Sequence, residues 1–164
     1  GMEENFFNAA AGRIPKKPRL HISIPSVGDS TLAPLGNQVM SIMAKYYPYH
    51  LADNISWDDI KEEVTDQIID YMSQSMPNLR DLIIGRQLIT PLDFEREYGL
   101  TESDIFHGRH DLDQLFNLRP HPKAAQYQTP IRNLYLCGSG THPGGGVTGA
   151  PGHNAAKRVI KDLK

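Results

Sequence analysis

The sequence predicts a mixed α/β fold of the α+β kind, in which strands and helices do not alternate regularly. Leu20, Ile22 and Ile24 alternate with polar residues, which is the period of a half-buried strand. An amphipathic pattern over residues 57–76 has the period of a helix. Near the end of the chain, the apolar run 134–137 leads into a glycine-rich segment and then into a second helical pattern. Strands and helices are therefore both expected.

The first part of the chain is expected to form a flexible lead-in followed by a hairpin. Residues 1–18 show weak patterning. Residues 38–47 are apolar enough for a core strand, which we expect to pair with residues 20–24 as one long hairpin arm. A helix over 38–47 is the alternative that the pattern leaves open. The segment between the two arms is rich in Ser, Gly and Pro, which indicates a loop.

The helix predicted over residues 57–76 has a start signal, a stop signal and an apolar face. Ser56 and Asp59 have the spacing of a capping box, with Asp in place of the usual Glu. Pro77 ends the helix. One stripe of the helix is apolar, and we expect this stripe to pack on a sheet. The stripe consists of Trp57, Ile60, Val64, Ile68, Tyr71 and Met72.

The elements after this helix are shorter. Residues 82–89 predict a strand with a glycine break. Pro91 opens a short helix through Tyr98, and Gly99 is its natural C-terminal stop. Residues 101–130 are rich in loop signals.

The last elements are a strand and a helix. The apolar run 134–137 predicts a buried parallel strand. Apolar residues then recur at helical spacing, so we expect a last helix with one face packed on the sheet. That face consists of Ala156, Val159, Ile160 and Leu163.

Composition excludes several classes of function. A formal net charge of -2 over 164 residues gives no electrostatic reason to expect nucleic-acid binding. No apolar run reaches the roughly 18 residues of a membrane span. The single cysteine, Cys137, cannot form an internal disulfide, and it fits a reducing compartment such as the cytoplasm. Within the run 134–137, we expect it to be a small buried hydrophobic residue.

The glycine-rich segment is the strongest functional signal. Seven glycines between positions 138 and 152 leave backbone N–H groups bare before a helix N-terminus, an arrangement that suits an anionic or electron-rich ligand. A dinucleotide fingerprint starting at Gly138 meets Pro143 in place of its third glycine. A Walker A loop needs Lys after Gly149, where this chain has Ala150. A nucleophile elbow around Ser139 needs a glycine at position 137, where this chain has Cys137. A ligand-facing loop and a turn used only for tight packing both remain open.

Several short motifs are specific as a set. They are RQLITPLD at 86–93, IFHG at 105–108, LDQLF at 112–116 with Arg119 and Pro120, and the long run 135–156 with THPGGG at its core. Together they resemble the C-terminal, flavin-contacting part of the phytoene desaturase-like FAD oxidoreductases. The resemblance extends from about residue 25 to the end of the chain.

The resemblance implies a division of the chain and a function. Residues 19–125 correspond to part of the substrate domain, a mixed sheet with helices on one side. Residues 126–164 correspond to the last strand, loop and helix of a Rossmann-like FAD domain. The implied parent enzyme passes a hydride from an apolar small-molecule substrate to FAD. We expect this chain to be its C-terminal fragment, inactive alone and weak in FAD binding. The reason is that the segment that anchors the FAD pyrophosphate lies at the N-terminal end of family members.

The resemblance also places the flavin against the glycine-rich loop. The backbone of Gly146, Val147 and Thr148 would contact the flavin ring, at the N-terminus of the last helix. The segment 138–140 would run beside the ribityl chain and the pyrophosphate, although many proteins with this general fold have an acidic residue where this chain has Ser139. No catalytic residue is assigned. The expected cofactor-binding residues are Gly138, Ser139, Gly140, Thr141, Gly145, Gly146, Val147 and Thr148.

Histidine and arginine side chains give weaker signals. His107 and His110 are three residues apart, but Gly108 favours a loop and no third ligand is near in sequence, so we predict no metal site. His142 and His153 flank the loop and are candidates for contact with the flavin or its pyrophosphate. Three further residues either line a substrate pocket or make surface or structural salt links, and these are Arg86, Arg119 and His121.

Two other classes of function remain open. The chain is alternatively a non-catalytic domain that binds a ligand or a partner and self-associates through exposed sheet surface. It is alternatively an inert truncated product whose apolar sheet edges drive the formation of a homodimer.

Overall fold

The computed structural model describes residues 1–164, and the chain divides into two compact units at residues 93 and 94. The first unit holds the only sheet and the longest helix, and the second unit consists mainly of turns, with the end of one helix at 94–98 and a complete helix at Ala150–Asp162. The domain boundary expected at residue 125 concerns the longer parent protein and remains a prediction. The elements are α1 (Met2–Ala10), β1 (Arg19–Ser23), β2 (Ser41–Lys45), α2 (Trp57–Ser73), α3 (Leu79–Leu82), α4 (Pro91–Tyr98) and α5 (Ala150–Asp162).

Strands β1 and β2 form an antiparallel hairpin in which Arg19 pairs with Lys45 and Ser23 pairs with Ser41. The predicted pairing of these two segments is confirmed. The prediction of a core strand over 38–47 is wrong, since the strand is shorter and most of its residues are exposed. The reason is that the sheet has only two strands, so nothing covers its outer face.

The core of the first unit lies along one face of α2. Trp57, Val64, Ile68 and Met72 are buried and form one cluster, as the apolar stripe predicts. The indole Nε1 of Trp57 donates to the carbonyls of residues 48 and 49 at 3.1 and 3.2 Å. The helix ends at Ser73, four residues before the predicted stop at a proline.

The start of α2 is capped as the sequence predicts. The hydroxyl oxygen of Ser56 accepts the N–H of Asp58 at 3.2 Å, and a carboxylate oxygen of Asp59 accepts the N–H of Ser56 at 3.3 Å. These bonds satisfy amide groups that the first turn of a helix otherwise leaves free.

A second capping box begins α4. Thr90 and Asp93 exchange bonds, because the Thr90 hydroxyl accepts the N–H of Asp93 at 3.1 Å and the Asp93 carboxylate accepts the N–H of Thr90 at 2.9 Å. The ammonium of Lys61 also donates to this carboxylate at 2.6 Å. Together these contacts hold the pKa of Asp93 below its usual range, with the bond from Lys61 as the largest cause. Gly99 then closes the helix by donating to Glu95 at 2.9 Å, as expected.

The N-terminal segment contains a helix that the sequence pattern does not predict. Helix α1 covers Met2–Ala10, and the side chain of Asn5 donates to the carbonyl of Lys17 at 3.0 Å. This contact joins the helix to the residues before β1. The flexibility expected for residues 1–18 remains a prediction.

Two predicted strands are wrong. Over 82–89, helix α3 ends at Leu82 and the following backbone is irregular, with the side chain of Ile84 85% exposed. Over 134–137, Tyr135 forms a single antiparallel bridge with Gln128, and Cys137 is exposed rather than buried. The physical reason is that a strand requires a partner. The backbone of 134–136 pairs locally with residues 127–129, and no parallel strand lies beside it.

The last helix forms as predicted, but its apolar stripe does not pack on a sheet. Ile160 and Leu163 are exposed, and the buried residues of α5 are Pro151 and Ala155. Polar contacts hold the C-terminal end of α5 instead. The carboxylate of Asp162 accepts Nε of Arg158 at 2.9 Å and the hydroxyl of Tyr135 at 3.0 Å, and it also bonds to the amide of Gln128. None of the helices is both long enough and apolar enough to cross a membrane.

Candidate functional site

The first half of the glycine-rich loop is a turn held by internal hydrogen bonds. Thr141 is 3% exposed, and both its N–H and its hydroxyl donate to the carbonyl of Gly138, at 3.0 and 2.7 Å. The carbonyl of Thr141 in turn accepts the N–H of Gly144 at 2.7 Å. The Thr141 hydroxyl is therefore used inside the loop and fixes its shape.

Two glycines of the loop are required because side chains occupy the space of a Cβ. A Cβ on Gly145 would lie 2.1 Å from Cδ1 of Phe106, and a Cβ on Gly144 would lie 2.7 Å from Nε2 of His110. The same Nε2 accepts the N–H of Gly145 at 3.4 Å. Gly144 also has a φ of +102°, a conformation that residues with a side chain rarely adopt. These two glycines serve packing inside the unit.

Arg119 lies beneath this contact. Its side chain is 1% exposed, and its guanidinium donates to three successive carbonyls, those of Phe106, His107 and Gly108. The contacts with Gly108 and His107 measure 3.1 and 3.5 Å. Its Nε is buried and has no hydrogen-bond partner. Arg119 therefore makes structural contacts, to backbone carbonyls rather than to a carboxylate.

A hydrogen-bonded chain joins the loop to α5. The hydroxyl of Tyr127 donates to the carbonyl of His142 at 2.9 Å, and the amide of Asn154 donates to that hydroxyl at 3.0 Å. Nδ1 of His142 is buried without a partner. These three residues, together with Phe116 and Lys157, line an open cavity of about 430 Å³.

The second half of the loop is open. Val147 is fully exposed, and a Cβ on Gly146 would meet nothing closer than a methyl group of Thr148 at 4.0 Å. We call residues 146–149 the loop tip. Gly149 is the N-cap of α5 and adopts a φ of +72°. The loop tip therefore presents bare backbone at the N-terminus of a helix.

The amides of this helix N-terminus are only partly used. The hydroxyl of Thr148 accepts the N–H of Ala150 at 3.2 Å, and Pro151 has no N–H. The N–H of His153 bonds to Gly149 at 3.0 Å within the helix. No hydrogen bond of the chain uses the N–H of Gly152, which lies next to the positive end of the helix dipole.

The predicted cofactor residues thus fall into three groups. Gly146, Val147 and Thr148 are exposed at the loop tip, whereas Thr141 and Gly145 are committed to contacts inside the unit. The segment 138–140 lies at the start of the turn, and none of its residues is fully buried. None of the eight predicted residues lines the cavity beside Tyr127.

Sequence reasoning missed several features of this site. Residues 144–149 read GGGVTG and have the spacing of a dinucleotide fingerprint, a match that the fingerprint starting at Gly138 does not include. The match opens a helix but follows no strand, so the structural context of that fingerprint is missing. The roles of Phe106 and His110 were also missed, because only the fold brings them against the loop.

The remaining candidates are placed as follows. Arg86 forms salt links with Asp66 and Glu62 of α2, at 2.5 and 2.9 Å. Salt links were one of the two alternatives for this residue, and lining a substrate pocket was the other. His153 is exposed. No group of three or more His, Cys, Asp or Glu side chains in residues 1–164 is arranged to hold a metal ion.

Comparison with known proteins relates the chain to oxidoreductases. It is 43% identical over 164 residues to pyridine nucleotide-disulfide oxidoreductase domain-containing protein 2 of Rattus norvegicus and 42% identical to that of Mus musculus. It is 34% identical over 147 residues to phytoene desaturase (lycopene-forming) of Pantoea ananas. The chain is thus similar in sequence to proteins named as oxidoreductases and phytoene desaturases. No family model matches it.

The chain spans less than a third of the length of these relatives. The matches cover 99% of this chain but 28% of the rat protein, and 88% of this chain but 29% of the Pantoea enzyme. Activity, substrate and partners of such a whole protein are therefore matters of proposal for this chain.

Proposed function

We propose that this chain carries the flavin-facing loop of an FAD-dependent oxidoreductase. The observation that carries the proposal is the exposed backbone of the loop tip. The tip lies at the N-terminus of α5, and the residues before it pack inside the unit. Similarity to phytoene desaturases supports the reaction class. The donor set fits a flavin, because the tip offers bare backbone and an apolar side chain but no carboxylate, and the amide of Gly152 follows in the first turn of α5.

Each part of the loop has a proposed role toward FAD. The backbone of Gly146 and Thr148 contacts the edge of the ring, and Val147 covers apolar ring surface and excludes water. The helix dipole and the free amide of Gly152 favour negative charge at that place. The segment 138–140 runs toward the ribityl and phosphate part. FAD itself, when bound, accepts the hydride.

The wider function follows from the same proposal. The whole protein would oxidise an apolar small-molecule substrate, since the substrate named in the bacterial relative is phytoene, a hydrocarbon. The present chain alone is proposed to be inactive. A reducing compartment such as the cytoplasm is proposed from the single, unpaired Cys137.

The test is a titration of this chain with FAD, followed by flavin fluorescence and by thermal shift. We expect weak, saturable binding that riboflavin competes for, because the loop tip faces the ring. ADP serves as the control and should not compete, because a fingerprint loop in its usual strand–loop–helix context is not present. No saturable signal up to about 1 mM FAD, or competition by ADP alone, would contradict the proposal.

A second candidate function is self-association without catalysis. The observation in its favour is the β1–β2 hairpin, whose two edges are unpaired and whose Ile22, Ile42 and Met43 are exposed. A homodimer would cover this surface. Sedimentation velocity over a concentration series tests this candidate, with Ile42→Lys as the variant, because Ile42 pairs with Ile22 on one face of the hairpin. A dimer that the variant abolishes favours this candidate, and a monomer at all concentrations rejects it.

A further inference from the structure

Arg119 is the most deeply buried charged side chain of the second unit, and its burial needs a reason. No carboxylate pairs with its guanidinium, and its Nε has no partner. Burying an unpaired charge is unfavourable, and here three backbone carbonyls are the only compensation. An arginine is suited to this arrangement because its planar guanidinium donates to several acceptors at fixed angles.

The three carbonyls belong to the turn that packs on the glycine-rich loop. This turn, residues 106–110, places the ring of Phe106 against Gly145 and the ring of His110 against Gly144. Nε of Arg119 is itself 3.3 Å from the position of a Cβ on Gly144. The guanidinium thus holds the turn from one side while the turn holds the loop from the other.

We propose that Arg119 is a positioning residue for the loop tip. Its guanidinium fixes the turn 106–110, the turn fixes Gly144 and Gly145, and the loop tip extends directly from them. This inference rests on the proposed function, since the tip is what would face the flavin. It goes further by assigning the conformation of the tip to a residue that touches no ligand.

Amide hydrogen exchange measured by NMR tests the inference without a cofactor. The reporters are the amides of Gly144 and Gly145, which are hydrogen-bonded to Thr141 and to His110. The variant Arg119→Lys keeps the charge but has one donor nitrogen in place of the two, Nη1 and Nη2, that bond to the carbonyls of Gly108, Phe106 and His107. We expect exchange at both amides to rise about tenfold, equivalent to about 1.4 kcal/mol of local opening, with a smaller change at Ala155 in α5.

Two further variants complete the design. Arg86→Lys is the matched control, because Arg86 is a partly exposed arginine of the first unit, and it should leave both reporters unchanged. Phe106→Leu removes the ring from Gly145 while the guanidinium stays in place. Phe106 is 42% exposed, so we expect this variant to fold. It therefore replaces Arg119→Lys as the test if Arg119→Lys does not fold. It should raise exchange at Gly145 as well.

The outcomes separate this inference from the proposed function. Wild-type exchange at Gly144 and Gly145 in Arg119→Lys, or in Phe106→Leu where that variant decides, would overturn the positioning role. An equal rise at the reporters and at Ala155 would also overturn it, because it would show a general loss of stability. If the wild-type chain binds no FAD, the proposed function fails, while the exchange result still shows whether Arg119 sets the loop. If it does bind, Arg119→Lys should weaken FAD binding and Arg86→Lys should not.

Discussion

At the scale of single residues, glycines that look alike in the sequence have different tasks. Gly144 and Gly145 leave room for His110 and Phe106, whereas Gly146 borders open space. A ligand-facing loop and a packing turn were the two alternatives for this segment, and the structure shows packing in its first half. The second half, residues 146–149, is exposed, and this is the surface that we propose faces the flavin ring.

Gly145→Ala tests the packing of the first half. The added Cβ would lie 2.1 Å from Phe106, so the ring has to move, and we expect a loss of about 1–3 kcal/mol in the free energy of unfolding. Urea unfolding followed by far-UV circular dichroism measures it, because the only tryptophan, Trp57, lies in the first unit. Gly138→Ala is the control, since a Cβ there meets nothing within 4 Å. Equal stability of the two variants would contradict the account.

Asp93 makes stability depend on pH. Its bonds with Lys61 and Thr90 lower its pKa in the folded chain, so the stabilisation is complete above the ordinary aspartate pKa of about 3.9 and is lost as pH falls through the lower folded value. We expect Asp93→Asn to cost about 1–3 kcal/mol at pH 7 and less toward pH 3. Urea unfolding followed by Trp57 fluorescence at several pH values measures this. A difference that stays constant with pH would contradict it.

At the scale of elements, local signals predict helices better than strands. The starts of α2 and α4 depend on neighbouring residues such as Ser56 and Pro91, and both helices form where predicted. The runs 82–89 and 134–137 are apolar enough for strands, but pairing depends on a partner that the local sequence does not contain. The hairpin was predictable because its two arms lie close together in the chain.

Ser56→Ala tests the capping of α2. Loss of the bonded hydroxyl leaves the N–H of Asp58 without its acceptor, and we expect a cost of about 1 kcal/mol. Unfolding followed by Trp57 fluorescence reports it directly, because the indole lies at the first position of the same helix. The exposed Ser75→Ala, two residues beyond the end of the helix, is the matched control. A smaller cost at position 56 than at position 75 would argue against the capping role.

At the scale of the whole molecule, sequence motifs identify relatives more reliably than they locate a site. The motif THPGGG at 141–146 and its companions indicated the oxidoreductase relationship that the comparisons show. The candidate site was predictable only as a segment. Which of its residues face outward depends on Phe106, His110 and Arg119, and their contacts with the loop arise from the fold of the second unit.

The measurement that tests the central claim most directly is an NMR map of the amides that respond to FAD. The account predicts that the largest shifts occur at Gly146, Val147, Thr148 and Gly152, with small effects in α2. Riboflavin should reproduce the same pattern. Shifts confined to the cavity beside Tyr127, or to the first unit, would contradict the claim that the loop tip faces the flavin.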